Sequence, residues 1–447
     1  MKKKFLCLFL TLVMVFSLIP SAIAANDEAT QAAQTLYELG LFRGTGTNPD
    51  GTPIFDLDKT PTRNQAVIML VRLLGKEEEA LAGDWSLPFT DVAKDSTAFP
   101  YIGYAYANGL TSGTTATTYS GTNPIKANQY ITFVLRALGY ESGKDFQVGT
   151  SYLLSDQLGI THGEYANATA FTRGDVAKIS LGAHEVQEVL KTAPYWGLPS
   201  DIKWIANCQT MEEMDNNILY SFLFGNYSLN FTQHPFMNQT ALEARRFLRE
   251  SIENLSTTYS ALMGAYTNHR PGCGITEKNV LFIDFPKSSL SIETVYAQQL
   301  EALDKALEIK ESLHQSGKIK ASMSEKQIAQ VYYDYLSSMR VERGGGSEAA
   351  SEGRSAEYDT AYACLINKKA DCVGKAAAFE LLVHLEGISA HGVGGQMKVG
   401  GGHRISRVVL DGKEYFCDWG NKKGITQDVS SWFEFDEESL EAARAVG

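Results

Sequence analysis

The stretch GGHRISRVVLDGKEYFCDWG, residues 401–420, carries the strongest local folding signal in the sequence. Its central Asp-Gly pair separates two runs that alternate apolar and polar residues, which is typical of a two-residue β-hairpin turn. A hairpin places the outer ends of its strands side by side, so we predict that His403 and Asp418 are neighbours. Because successive side chains point to opposite faces of a strand, Cys417 is predicted to pack on the face opposite Asp418.

A cysteine begins an amphipathic helix upstream of this hairpin, in the stretch INKKADCVGKAAAFELLVHLEGI of residues 366–388. Only the thiolate form of cysteine is a strong nucleophile, and a helix N-terminus and a neighbouring imidazolium both favour that form. Aspartate can orient the imidazole and stabilise its charge. We therefore predict a catalytic triad in which Cys372 is the nucleophile, His403 transfers the proton and Asp418 orients His403.

Two other histidines are rivals for the role of base. His384 lies on the helix that Cys372 begins, and His391 lies in a predicted glycine-rich loop. The hairpin geometry favours His403 over both. A single cysteine at a helix start is more often structural than catalytic, and it is the order of cysteine, histidine and aspartate around the hairpin that favours catalysis.

The remaining cysteines carry no second motif. Removal of Cys7 with a predicted signal peptide leaves an odd number, so at least one thiol is free or paired between chains. Cys364 is predicted to be buried packing, and Cys208 and Cys273 could form a disulfide, which the sequence leaves open. None of the cysteine spacings resembles a zinc motif, so we expect neither a metal nor another cofactor.

The motif Cys372-Val-Gly374-Lys-Ala376, preceded by Ala-Tyr-Ala at 361–363, resembles the transglutaminase-like superfamily. Its members carry Cys-x-Gly-x-Ala on a helix, then a histidine that leads into a strand, an Asp-Gly turn and a strand that ends at aspartate. The resemblance covers about residues 323–425. It implies a papain-like α+β core, the same triad, and acyl transfer at an amide of a peptide or protein substrate. The small glycine and alanine are expected to let the helix lie close to the strand of His403.

This chain departs from the transglutaminase-like pattern at two points. The family often has an aromatic residue two positions after the histidine, where this chain has Ile405, and the ending Asp418-Trp419-Gly420 is shortened. Neither departure removes a catalytic group, and both concern substrate preference.

Three segments in the first half of the chain align with one another. Each joins the end of one helix, a turn, and a second helix with apolar residues at helical spacing: LGLFRGTG with PTRNQAVIMLVRLLG (39–75), NGLTSGT with PIKANQYITFVLRALG (108–139), and LGITHGEY with AFTRGDVAKISLGAH (158–184). Thr62 and Thr172 are predicted to cap the second helices of the first and third segments. A single helix pair cannot bury its apolar face alone, so the three are predicted to pack together.

These repeats resemble the S-layer homology (SLH) family over about residues 27–186, and the motif Phe-Thr-Asp-Val at 89–92 supplies the opening of its second repeat. The resemblance implies a pseudo-trimeric, all-α bundle that holds secondary cell-wall polysaccharide without a covalent bond. Arg63 and Arg173 match the arginine that contacts the polymer in the family. The second repeat has Lys126 and alanine where threonine and arginine are expected, which weakens its predicted groove.

Composition and targeting signals set the cellular context. The chain has 447 residues and a formal net charge of −12, so nucleic acid is an unexpected partner. Three lysines, an apolar run and the sequence Ala-Ile-Ala predict a secretory signal peptide at 1–24. Nothing later approaches the roughly 20 apolar residues that a membrane-spanning helix needs. We expect a secreted protein at the cell wall or cell surface, without a transmembrane segment.

The sequence therefore predicts a multidomain protein. After the signal peptide, residues 27–186 form three SLH repeats, residues 187–320 a linker and α/β accessory region, and residues 321–447 the transglutaminase-like domain. Within the accessory region, Trp196 begins a predicted turn-rich linker, and 279–285 reads as a short strand. The favoured function is a wall-anchored cysteine peptidase or amidase rather than a crosslinking enzyme. The alternative is a non-catalytic wall-binding scaffold or structural surface protein.

Overall fold

The structure is a computed structural model that describes residues 24–225, 228–230, 250–252, 254–263, 272–275, 280–284, 291–344 and 357–446. These residues fall into two compact units, one that ends at Val189 and one that begins at Leu190. The predicted signal peptide lies outside the described residues apart from Ala24. Among the helices of the described ranges, none combines the length and apolar character needed to cross a membrane.

The first unit is built mainly from three helix pairs. The pairs are α1 (Ala24–Glu38) with α2 (Arg63–Leu73), α4 (Phe99–Ala107) with α5 (Ala127–Ala137), and α6 (Ser151–Gln157) with α7 (Arg173–Leu190). A short helix α3 (Glu77–Ala82) and a small hairpin, β1 (Gly46–Thr47) with β2 (Pro53–Ile54), complete the unit. The three predicted repeats are thus three helix pairs.

The predicted caps of the second helices are present. The Thr62 side chain accepts a hydrogen bond from the backbone N–H of Gln65, and the Gln65 side chain accepts one from the N–H of Thr62. The Thr172 hydroxyl accepts from the N–H of Asp175 at 3.2 Å. Such caps satisfy backbone donors that a helix cannot satisfy internally, and they fix where each second helix begins.

The second unit combines two antiparallel sheets, one pair of short parallel strands and several helices. The five-stranded curled sheet has the order β11-β10-β9-β8-β12, and the three-stranded sheet has the order β3-β5-β4. The strands are β3 (Ser228–Asn230), β4 (Gly272–Ile275), β5 (Val280–Asp284), β6 (Glu342–Arg343), β7 (Lys369–Ala370), β8 (Ala390–Met397), β9 (Gly402–Leu410), β10 (Lys413–Cys417), β11 (Ile425–Thr426) and β12 (Phe433–Phe435). The helices are α8 (Met211–Phe224), α9 (Ser260–Met263), α10 (Ile292–Gln315), α11 (Glu325–Ser338), α12 (Ala361–Leu365), α13 (Cys372–His384) and α14 (Glu437–Ala445), and residues 250–252 and 254–258 are also helical.

The predicted hairpin is confirmed as β9 and β10. Leu410 pairs with Lys413, and Ser406 pairs with Cys417. The two turn residues both have positive φ, 51° at Asp411 and 74° at the following glycine, as a type I′ turn requires. The Asp411 carboxylate also accepts from the N–H of Glu325 at 3.1 Å, which ties the hairpin tip to the start of α11.

The described residues between Leu190 and Lys320 share one compact unit with the large sheet. Helix α10 packs against α12 and α13, and its His314 lies 2.9 Å from the Glu386 carboxylate, which also accepts from the Tyr332 hydroxyl at 2.7 Å. The predicted strand at 279–285 is confirmed as β5. Trp196, which begins the predicted turn-rich linker, is 1% exposed, and the next residue, Gly197, packs against the His384 and His391 rings.

Candidate functional site

Cys372 is the first residue of α13, and the preceding residue holds the start of that helix in place. Asp371 is the N-cap, and its Oδ1 accepts hydrogen bonds from the N–H groups of Val373 at 2.8 Å and Gly374 at 3.2 Å. The sequence analysis did not single out Asp371, although aspartate directly before a helix is a recognised capping signal. The thiol is thus presented from a fixed helix end.

Helix α13 packs against β9, the strand of His403, as predicted, and Gly374 itself lies closest to another segment. A Cβ at Gly374 would lie 2.2 Å from the carbonyl oxygen of Tyr358 and 3.0 Å from that of Thr360. The nearest backbone is therefore the 358–360 segment rather than the strand of His403. Any larger residue here would push the first turn, and the Cys372 thiol with it, away from that segment.

His403 and Asp418 are neighbours, as the hairpin predicted. His403 lies at the start of β9 and Asp418 directly follows β10, and His403 Nε2 is 2.8 Å from Asp418 Oδ2. Their side chains are only 10% and 6% exposed. The Cys372 thiol is close enough to the same imidazole to help raise its pKa. With Nε2 engaged by the carboxylate, Nδ1 is the ring nitrogen left for the thiol.

The local charges favour a protonated His403. Burial by itself lowers the pKa of His403, but the hydrogen bonds to Asp418 and Cys372 and the negative charge of both outweigh burial and raise that pKa to about 9. Burial likewise works to raise the pKa of Asp418, and the hydrogen bonds and charge of His403, with help from Asn421, hold it below its usual value. The geometry therefore suits an imidazolium beside the Asp418 carboxylate.

Asn421 is a residue of this site that the sequence analysis missed. Its side-chain Nδ2 donates to Asp418 Oδ2 at 2.9 Å and lies 3.1 Å from His403 Nε2, and its backbone N–H donates to Asp418 Oδ1 at 3.1 Å. Both carboxylate oxygens are thus held by the turn that follows β10. The sequence feature that could have predicted Asn421 is an asparagine in a turn three residues after Asp418, because asparagine side chains in turns often bond to groups nearby in the chain.

An aromatic ring supports the imidazole from the other side. The Phe433 ring is 6.2 Å from the His403 ring, centroid to centroid, with an interplanar angle of 74°. Gly395 pairs with His403 across β8 and β9, and a Cβ at Gly395 would lie 2.4 Å from Phe433 Cζ. The missing side chain at Gly395 is what admits the ring. No local sequence signal pointed to this pair.

The four cysteines described with their side chains are all free thiols, and Cys372 is the one that is not buried. Burial raises the pKa of Cys208 and of Cys364 to about 12. It also raises the pKa of Cys417, which lies on the face opposite Asp418 as predicted. A disulfide between Cys208 and Cys273 is excluded by the free thiol of Cys208, while the Cys273 side chain lies outside the described residues.

The two rival histidines are buried away from the triad. His391 belongs to strand β8, not to a loop, and its ring lies 5.8 Å from that of His384. Burial lowers the pKa of His384 to about 4 and that of His391 to about 3. Both are therefore neutral structural side chains. Within the described ranges, no three His, Cys, Asp or Glu residues are grouped so that they could hold a metal ion.

The predicted polysaccharide contacts, Arg63 and Arg173, lie at the starts of α2 and α7. Arg63 is 6% exposed, its Nη2 donates to the carbonyl oxygen of Ser112 at 2.7 Å, and its guanidinium carbon lies 4.8 Å from the centroid of the Tyr119 ring. This contact joins the first repeat to the turn of the second.

Arg173 makes the corresponding contact from the third repeat to the first. It is 7% exposed, its Nη2 donates to the carbonyl oxygen of Arg43 at 3.3 Å, and its Nε donates to that of Phe55 at 2.9 Å. In the repeat alignment Arg43 corresponds to Ser112, so the two arginines repeat one interaction. The second repeat has Ala127 at that position, which cannot make it. Polymer contact through these buried guanidiniums stays a prediction.

Comparison with known proteins identifies part of the first unit. Residues 88–126 match the S-layer homology domain. A cell surface protein of Thermoanaerobacter kivui is 33% identical over 199 residues, which is 42% of this chain and 25% of the relative. An endoglucanase of Bacillus sp. (strain KSM-635) is 33% identical over 115 residues, 23% of this chain and 12% of the relative. The middle cell wall protein of Brevibacillus brevis is 27% identical over 189 residues, 40% of this chain and 18% of the relative.

The chain carries an S-layer homology domain and is associated with the cell surface. It spans a quarter or less of the length of these three relatives. SLH domains bind cell-wall polymers.

The SLH match coincides with the second predicted repeat, and the motif that opens this repeat has a clear structural role. Asp91 accepts hydrogen bonds from the N–H groups of Tyr119 and Ser120, both at 2.8 Å. The Phe89 ring lies 5.4 Å from that of Tyr119. The opening motif therefore fixes the loop against which Arg63 packs.

Proposed function

We propose that the second unit is a cysteine acyl-transfer enzyme of the transglutaminase-like kind, with a papain-like core, and that the SLH repeats hold it at the cell wall. The observation that carries the proposal is the position of the His403 imidazole, 2.8 Å from the Asp418 carboxylate and near Cys372 at a helix start. Nucleophile, base and orienting group in mutual contact are the arrangement that activates a thiol.

In the first step, Cys372 Sγ attacks the carbonyl carbon of a substrate amide, and a carbon–sulfur bond forms. The carbon–nitrogen bond then breaks, and the leaving amine takes its proton from the imidazolium of His403. Asp418 keeps the ring in position throughout, and Asn421 keeps Asp418 in position. The product of this step is a thioester on Cys372 and a free amine.

In the second step, a water molecule attacks the thioester carbon and gives a proton to His403. The carbon–sulfur bond breaks, the carboxylic acid is released, and the Cys372 thiolate and the His403 imidazolium are restored. An amine in place of water would give a new amide. We favour hydrolysis, by a peptidase or amidase, over crosslinking.

A donor for the developing oxyanion is available at the start of α13. Asp371 already occupies the N–H groups of Val373 and Gly374. The N–H of Cys372, at the first helical position, has no acceptor within the helix. We assign the oxyanion to this N–H, since a preorganised donor at such a point is commonly a large contributor to catalysis.

The first unit is proposed to bind cell-wall polysaccharide through its three repeats, with Arg63 and Arg173 near the polymer. The support is the SLH match and the repetition of one arginine contact between repeats. Because both guanidiniums are buried, they act on binding mainly by fixing the turns between repeats.

A second candidate function is a non-catalytic wall-binding scaffold or structural surface protein. The names of the cell surface and cell wall relatives favour it over catalysis. In that case the triad residues would serve only to stabilise the second unit.

Release of amine separates the two functions. The full chain and its Cys372→Ala variant are incubated with purified cell-wall sacculi and, separately, with casein, and new primary amines are measured. If the protein is the proposed enzyme, the wild type releases amines from the sacculi or from casein, and the variant releases none above background. Equal amine release by the wild type and the variant from both materials would overturn the enzyme proposal and favour the scaffold function.

A further inference from the structure

Lysines accompany each segment that supplies a catalytic residue. Lys375 follows Cys372 by three residues, Lys398 precedes His403 by five, and Lys422 and Lys423 come four and five residues after Asp418. We call the set of Lys375, Lys398, Lys422 and Lys423 the lysine arc. The whole chain has a net charge of −12, so this local cluster of positive charge is opposite in sign to the net charge of the protein.

One end of the lysine arc lies against the turn that follows Asp418. Lys375 is in the first turn of α13, and a Cβ at Gly420 would lie 2.7 Å from Lys375 Cδ. Its Nζ is 6.0 Å from the centroid of the Trp419 ring, and the Trp419 indole N–H donates to the Lys375 carbonyl oxygen at 2.8 Å. Lys375 is thus held between the Cys372 helix and the Asp418 turn.

The other end of the lysine arc contacts a tryptophan. Lys423 Nζ lies 5.5 Å from the centroid of the Trp432 ring, and the backbone N–H of Lys398 donates to the Trp432 carbonyl oxygen at 3.0 Å. Trp432 directly precedes Phe433, the ring that packs against His403. Lys398 and Lys423 are exposed, while Trp432 is half-buried.

The nearby carboxylates do not cancel this charge. Asp371 is engaged by the helix N–H groups, and Asp418 by His403. The exposed Asp428 interacts with Lys398 and accepts from the N–H of Ser430 at 2.9 Å. Glu434, two residues after Trp432, is also exposed, so two exposed carboxylates accompany the four lysines.

We propose that the lysine arc selects acyl donors whose chains carry carboxylate groups next to the scissile amide, with Trp432 as an apolar surface for the intervening side chains. This inference rests on the proposed acyl transfer and names its substrate class, an acidic peptide. Charges that line a site concentrate oppositely charged ligands, and added salt removes the effect.

Two small alkylating reagents test the charge without a known substrate. Iodoacetate and iodoacetamide both transfer a carbon to the Cys372 thiolate as iodide leaves, but only iodoacetate is an anion. The ratio of their rates on Cys372 is measured by peptide mapping of the full chain. At about 10 Å in water, each lysine changes the local concentration of an anion by up to about twofold at low salt.

The expected result is a rate ratio that falls about two- to fourfold in the Lys422→Gln/Lys423→Gln variant and in about 1 M salt, where the screening length is about 3 Å. The matched control is Lys318→Gln/Lys320→Gln, which removes the same charge at two exposed positions between α10 and α11 and should leave the ratio unchanged.

The outcomes separate the two proposals. Rapid alkylation by iodoacetamide together with a ratio that is the same in wild type, variant and control would overturn the lysine arc and leave the acyl-transfer proposal standing. Slow alkylation of Cys372 by iodoacetamide would instead remove the acyl-transfer proposal, and the lysine arc as a selector of substrates with it.

Discussion

Replacing Asp418 with asparagine should lower the pKa of His403, because the variant keeps a side chain of the same shape without its charge. The rise of that pKa from 6.5 to about 9 corresponds to roughly 3 kcal/mol in favour of the imidazolium. Asp418, at 2.8 Å, is the closest partner of the ring. Once its charge is removed, burial again favours the neutral ring, so we expect the pKa to fall by about 2.

The titration can be followed by NMR of the full chain labelled at histidine Cε1, since the sequence has only eight histidines. The His403 signal is assigned by its loss in His403→Gln. The control is Asp428→Asn, which removes an exposed carboxylate that bonds to Ser430. If His403 titrates near pH 9 in both Asp418→Asn and the control, the charge of Asp418 has no part in raising the pKa of His403, contrary to this prediction.

Three further results are expected. Gly395→Ala should displace the Phe433 ring, slow the alkylation of Cys372 and lower the free energy of unfolding by about 1–3 kcal/mol in urea titrations. An unchanged alkylation rate together with an unchanged unfolding free energy would contradict the tight contact between Gly395 and Phe433. His384 and His391 have pKa values below that of an unfolded histidine, so their contribution is complete above about pH 6.5 and is lost as pH falls, by about 2 kcal/mol for each at pH 5. His384→Leu should therefore reduce the loss of unfolding free energy between pH 7 and pH 5. An equal loss in the variant and the wild type would contradict the low pKa of His384. Arg63→Ala should lower the unfolding free energy of the first unit by about 3 kcal/mol, since it leaves a buried carbonyl unpaired and a cavity; a loss below about 1 kcal/mol would place the side chain in solvent instead.

Much of the triad geometry was available from the sequence because it depends on local rules. An Asp-Gly turn fixes the hairpin register, and the register brings His403 beside Asp418. Strand alternation assigned Cys417 to the opposite face. The repeats were also readable, since each begins its second helix with a similar motif, and the threonine caps were confirmed.

Features that depend on contacts distant in sequence were not predictable in this way. The Phe433 ring reaches His403 through a strand on the far side of β8, and only the close approach at Gly395 permits it. Arg63 matches the polymer-contacting arginine of the family, but the sequence did not show that it is buried against a turn 49 residues away. The packing of Gly374 against residues 358–360 likewise depends on a segment outside the recognised motif.

The proposed enzyme requires Cys372 and His403 to form a reactive thiolate–imidazolium pair. The most direct measurement is alkylation of the full, folded chain with iodoacetamide at about pH 6, where an ordinary thiol of pKa about 8.5 is almost wholly protonated, followed by peptide mapping. If the pair forms, Cys372 is labelled well ahead of every other cysteine. His403→Ala should abolish this difference in labelling rate, and Asp418→Ala should reduce it less. If Cys372 is labelled no faster than the buried Cys208, Cys364 and Cys417, the cysteine is structural and the protein is a wall-binding scaffold.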